Sequence, residues 1–125
     1  MKLSHITISV KDLNESLKFY QGIIGLTVKR RFSAGESEIV FLGDGETEIE
    51  LIYNRLHTDI FFGQSISLGF QVASVQETLS NLNQKGIGVG EIIQPNPSVQ
   101  FFFTTDPNGV RIQFVEYAEK TSRSW

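Results

Sequence analysis

Hydrophobic and polar positions alternate strictly along residues 5–10. Ile6, Ile8 and Val10 fall on one side and His5, Thr7 and Ser9 on the other. A period of two predicts a strand with one apolar and one polar face. The period then lengthens. Leu13, Leu17 and Tyr20 stand at i, i+4 and i+7, the stripe of an amphipathic helix. Asp12 with Glu15 three positions later forms an acidic variant of the capping box, which satisfies free N–H groups at a helix start. The helix is expected to run out at Gly22 or Gly25. Strand-like segments follow at residues 26–32, 38–42 and 46–53, separated by Ala34-Gly35 and Asp44-Gly45.

The same succession returns about sixty residues later. Residues 67–72 lie over residues 5–10 at an offset of 62, and Ile112-Gln113-Phe114 lies over Ile49-Glu50-Leu51 at an offset of 63. Ser74 and Glu77 form a second capping box, and Val75, Leu79 and Leu82 take the places of Leu13, Leu17 and Tyr20. Lys85-Gly86 ends this helix with a cation and a residue free to turn left-handed. Further strands are predicted at residues 88–93, 99–105 and 110–117, with turns at Pro95-Asn96-Pro97 and Asp106-Pro107-Asn108-Gly109. Strand phase, cap and stripe all repeat at one offset. The fold class is therefore read as α+β, two βαβββ modules in tandem forming a curved mixed-sheet cup. Module one covers about residues 1–54, a link 55–65, module two 66–117 and a polar tail 118–125, all within one domain.

The alternation also sorts the strands into faces. Ile6, Ile8, Val10, Ile49, Leu51, Leu68, Phe70, Val72, Ile112 and Phe114 form one apolar set, assigned to the helix side. The other face carries His5, Thr7, Ser9, Glu48, Glu50, Ile52, Ser67, Gly69, Gln71, Arg111, Gln113 and Val115. An ordinary sheet with one wet face would look the same. What sets this one apart is that His5, Glu50, Ser67 and Gln113 occupy symmetric places in the two copies.

Composition narrows the chemistry. Ten Phe and three Tyr among 125 residues supply ample apolar area for a core. Cysteine is absent, which excludes disulfides, thiol nucleophiles and thiolate metal sites and fits a cytoplasmic location. Net charge is −3, and the sole basic cluster, Lys29-Arg30-Arg31, reads as a solvated edge. A nucleic-acid partner is therefore not expected. No signal-peptide pattern precedes the first strand and no apolar run nears the roughly 20 residues that span a bilayer, so no membrane partner is expected either.

Four stretches carry a likeness: Leu3-Ser4-His5, residues 12–26, Ile49-Glu50-Leu51 with Tyr53-Asn54, and Asp106-Pro107-Asn108-Gly109 leading to Ile112-Gln113. Together they resemble the vicinal-oxygen-chelate superfamily, which includes glyoxalase I, fosfomycin-resistance proteins, extradiol dioxygenases and bleomycin-resistance proteins. The likeness is closest to glyoxalase I. It implies a divalent metal (Zn, Ni, Mn or Fe) held by four side chains, two from each module, at positions that fall on His5, Glu50, Ser67 and Gln113. His5 and Glu50 match the usual ligands. Ser67 stands where a His is usual and Gln113 where a second Glu is usual. The expected metal ligands are thus His5, Glu50 and Gln113, through its amide oxygen, with Glu50 as the catalytic carboxylate. Proton movement beside a carbonyl needs a base, which Gln113 cannot be. The resemblance also implies a homodimer.

The remaining candidates serve a small-molecule ligand. Ser67, Gln71, Arg111 and Phe102 are expected to contact it, Arg111 through a carboxylate or phosphate. Without metal the same surface becomes an aromatic-lined pocket like that of bleomycin-resistance proteins. Phe101, Phe102, Phe103, Phe61, Phe62, Phe32 and Phe41 are its candidate lining, and at least half of them are expected in the core. His57 is read as a surface-loop residue. Glu116, out of phase with Gln113, is expected to face the helices or an edge. Glu48 is a reserve carboxylate whose alternative role is pairing with Arg111.

Overall fold

A computed structural model describes residues 1–118. Trp125 and the rest of the expected tail beyond Ala118 lie outside the described residues. The chain forms two compact units, Met1–Phe61 and Phe62–Trp125, whose boundary falls inside the link read from the sequence. The first unit contains β1 (His5–Ser9), α1 (Leu13–Leu17), β2 (Val28–Ala34), β3 (Ser37–Leu42) and β4 (Glu48–Asn54). The second contains β5 (Ser67–Gln71), α2 (Val75–Gln84), β6 (Ile93–Asn96), β7 (Val99–Thr105) and β8 (Arg111–Tyr117). Each is a βαβββ module with its own four-stranded mixed sheet, ordered β1-β4-β3-β2 and β5-β8-β7-β6. In each, the first and last strands pair in parallel and the other pairs are antiparallel.

The helix side of the first sheet is apolar. Val10, Val40, Leu42 and Leu51 are fully buried there with Tyr20 from the helical segment. α1 is only five residues long, because the chain widens into a π-helical stretch over Lys18–Ile23. That stretch closes with Ile24 N–H donating to the Phe19 carbonyl at 2.9 Å. Widening by one residue turns both Phe19 and Tyr20 inward, edge to face at 5.1 Å. The segment ends at Gly25, whose φ of 91° is open to glycine alone without strain.

α2 is regular and capped twice. Ser74 Oγ accepts from Glu77 N–H at 3.1 Å, as its capping box predicts. Glu116 on β8 accepts from Val75 N–H at 2.9 Å, so it does face the helix and satisfies a second free donor. Gly86, at φ 73°, follows the last turn.

Two sequence expectations change. The strand expected at residues 88–93 is displaced to Ile93–Asn96 and includes Pro95. Gly86, Gly88 and Gly90 give the preceding segment no alternating side chains to hold a strand, whereas Pro95 is tolerated because β6 is an edge strand. The second change concerns Phe102, expected among the ligand contacts. It is fully buried, opposite Phe114 in the β7–β8 register, with ring centroids 5.4 Å apart. In the run Phe101-Phe102-Phe103 the alternation turns the middle ring toward α2 and its neighbours the other way.

Phe102→Ala is expected to lower the unfolding free energy by about 3–5 kcal/mol in urea denaturation. Phe103→Ala, with a half-buried ring, is expected to cost less than about half of that.

Candidate functional site

On the first module, parallel pairing places Thr7 beside Glu50 and His5 beside Glu48, and β3 adds Phe41 opposite Glu50. His5, Thr7, Glu48, Glu50 and Phe41 therefore share the face turned away from α1. His5 Nε2 lies 3.7 Å from Glu50 Oε1, with the ring 41% exposed and the carboxylate 15% exposed. The acid is thus shielded while the imidazole stays open to an arriving ligand. Ser4 Oγ lies 3.2 Å from Nδ1. In the tautomer where it accepts Nδ1–H, Nε2 keeps a lone pair for a cation. Thr7 Oγ1 donates to Glu50 Oε1 at 2.5 Å.

An aromatic and cationic group flanks this pair. The His5 ring meets Phe41 edge-on at 5.6 Å, and Phe32 stacks on Phe41 at 6.3 Å. The Arg30 guanidinium lies 4.4 Å above Phe41 and donates to Glu48 at 2.7 and 3.4 Å. Glu48 is therefore held by Arg30 and not by Arg111. A bulge between Val28 and Arg30 brings Arg30 opposite Phe41; in unbroken register Lys29 would stand there. Arg31 points instead to Glu38, at 3.1 Å.

The second module's corresponding face carries different chemistry. Ser67 pairs with Arg111, Gly69 with Gln113, and Gln71 with Val115. Across β8, Phe103 stands opposite Gln113 and Phe101 opposite Val115. Arg111 stacks on Phe103, 3.9 Å from the ring centroid. A Cβ built on Gly69 would meet Gln113 Oε1 at 3.2 Å, so the amide lies directly over that glycine. Farther along, Val99, Phe101 and Val115 form a buried cluster with Phe103 and Tyr117 against it. His57 is exposed in the link, as expected.

The structure thus brings His5 and Glu50 together within one module and aligns Ser67, Gln71, Arg111 and Gln113 on one face of the other. Among the described residues no group of three or more His, Cys, Asp or Glu side chains could hold a metal. The His5–Glu50 pair does suit a divalent cation. Donors to one such ion sit about 2.0–2.2 Å from it, hence roughly 3 Å from each other. A closure of less than about 1 Å from the observed 3.7 Å is enough. Imidazole nitrogen with carboxylate oxygen is a donor set for Zn²⁺, Ni²⁺, Mn²⁺ or Fe²⁺. Sequence reasoning missed Thr7 as a partner of Glu50 and Arg30 as the partner of Glu48.

The chain matches the Glyoxalase/Bleomycin resistance protein/Dioxygenase superfamily over residues 2–114, and it belongs to that superfamily. It is 32% identical to a lactoylglutathione lyase of Haemophilus influenzae over 93% of each chain. It is 30% identical to a probable lactoylglutathione lyase of Synechocystis sp., covering 96% of this chain and 98% of that one. Among solved structures, the trypanothione-dependent glyoxalase I of Leishmania major superposes with a TM-score of 0.81 at 25% identity, over 93% of this chain and 86% of that one.

The Glu48 carboxyl is held below its ordinary value of 4.5, chiefly by the Arg30 hydrogen bond; desolvation opposes this, while the charges of Arg30, Lys29 and His5 add to it. A carboxylate so lowered stabilises the fold above its unfolded-state value and loses that contribution as pH falls through the folded one. Glu48→Gln is therefore expected to lower the melting temperature at about pH 7 and to converge with the parent as the pH falls below the folded-state value, flattening the acid limb of a thermal-melt series.

Proposed function

We propose that this protein binds a small oxygenated metabolite or antibiotic through a divalent cation held by His5 and Glu50, and transforms it where the ligand carries an acidic C–H beside a carbonyl. The observation that carries this reading is the 3.7 Å approach of His5 Nε2 to Glu50 Oε1 on an open polar face. The lyase names of relatives near 30% identity support the same class of ligand. Gln113 is assigned the role of a neutral oxygen donor, with Ser67 and Gln71 as polar contacts to the ligand. Gln113 replaces a carboxylate by an amide, so any proton moved in such a reaction falls to Glu50. The cation would supply charge stabilisation at the ligand oxygens. The reading takes the two modules as one working domain in a cytoplasmic homodimer, which light scattering tests.

A second reading, metal-free sequestration of an aromatic or anionic molecule, is favoured by Arg111. Of the four described arginines, Arg30, Arg31 and Arg55 each pair with a glutamate. Arg111 has no carboxylate partner among the described residues, and its guanidinium carbon lies over the Phe103 ring. A guanidinium so placed keeps its edge donors free for a ligand carboxylate or phosphate.

Protein purified without chelator is expected to retain metal, and calorimetry with Ni²⁺ or Zn²⁺ to show one site that His5→Ala abolishes. Absence of bound metal together with a silent titration overturns the cation reading. A bleomycin titration followed by tyrosine fluorescence tests the second: the expected response survives His5→Ala and weakens in Arg111→Ala, and no response at high ligand counts against it.

A further inference from the structure

We infer that Thr7 is a positioning residue that sets the cation affinity of the first module by fixing the Glu50 carboxylate; this rests on the cation reading given above. Three observations carry it. Thr7 Oγ1 donates to Glu50 Oε1 at 2.5 Å, a short hydroxyl–carboxyl contact. The oxygen it holds is the one facing His5 Nε2. Parallel pairing sets Thr7 directly beside Glu50, so a single extended backbone fixes the donor with no loop to adjust.

The second module separates this role from a structural one. The position equivalent to Thr7 is Gly69, and the position equivalent to Glu50 is Gln113. β5 forms and pairs in full with no side chain at that place, so the fold does not require one. There the amide oxygen settles over the glycine, only 3.2 Å from where a Cβ would stand. A flexible carboxylate beside a second ligand needs an external donor to keep one oxygen aimed. A neutral amide lying against bare backbone does not. Threonine occurs where the carboxylate is, and glycine where the amide is.

Glu50 carries three freely rotating side-chain bonds beyond its backbone. With the hydroxyl in place the carboxylate waits in the orientation that binding needs, and less conformational freedom is lost when the cation arrives. Outer-sphere hydrogen bonds of this kind change metal affinity by about 10–100-fold.

The experiment compares wild type, Thr7→Val and Thr7→Ser by calorimetric Ni²⁺ titration and by thermal melts of the metal-free proteins. Valine matches the threonine shape and suits a strand, while serine keeps the hydroxyl. Ni²⁺ binding in Thr7→Val is expected to weaken by about tenfold or more, with Thr7→Ser within about threefold of wild type and all three metal-free melts alike. Equal affinity in wild type and Thr7→Val overturns the inference and leaves the cation reading standing. A serine variant as weak as valine, or a valine variant that melts well below wild type without metal, also overturns it. A silent titration of the wild type removes the cation reading and this inference together.

Discussion

The parallel pairing of the first strand with the last strand of each module is the constraint on which the rest depends. β1 and β4 are far apart in the chain and run the same way, so the connection between them must cross over one face of the sheet. α1 and its π-helical continuation lie on that crossover and cover the apolar side. The opposite side is left for side chains that need not be buried. His5 and Glu50 meet because they lie on neighbouring strands, with Thr7 in register with Glu50. The site is thus a by-product of strand order, and its precision is that of a sheet, not of a loop.

Much of this could be read directly from the residues. The two caps at Asp12 and Ser74 were explicit in side-chain chemistry, and both accept the N–H three residues on. The limits of β7 were legible because turn residues bracket it on both sides. Phase alone turned Glu116 away from the Gln113 face, toward the helices or an edge, and it lies at the helix. What escaped depended on neighbours distant in sequence. Phe102 lay in a homopolymeric run, where alternation has no polar partner to mark its phase. Arg30 reached Glu48 through a bulge, and an extra residue in one strand leaves no mark in a hydrophobic pattern. β6 was misplaced because glycines give no period to read. Thr7 looked like any strand threonine until its partner was known.

The two modules show how one scaffold can carry unlike chemistry. Phe41 and Phe103 are symmetry mates, and each lies under a guanidinium. The first belongs to Arg30 on β2 and the second to Arg111 on β8. In the first module the arginine is tied to Glu48, so the charge is balanced locally. In the second, the position equivalent to Glu48 is Arg111 itself. The imidazole and the acids therefore belong to one copy, and the amide and a guanidinium with no acid beside it to the other. Membership of the superfamily fixes the backbone that both copies share. The side chains above it decide what each copy binds.

The strand order has a further consequence for how the chain acquires its structure. Among the described residues neither sheet borrows a strand from the other half of the sequence. Every pairing partner of β1 to β4 has been synthesised before β5 is made. The first half can therefore close its sheet while the second is still being synthesised. Each closure spans about half the chain instead of its whole length, which limits the loop entropy that must be overcome before the non-local pairs form. Duplication of a sixty-residue unit thus supplies two surfaces for chemistry and also divides one slow search into two shorter ones.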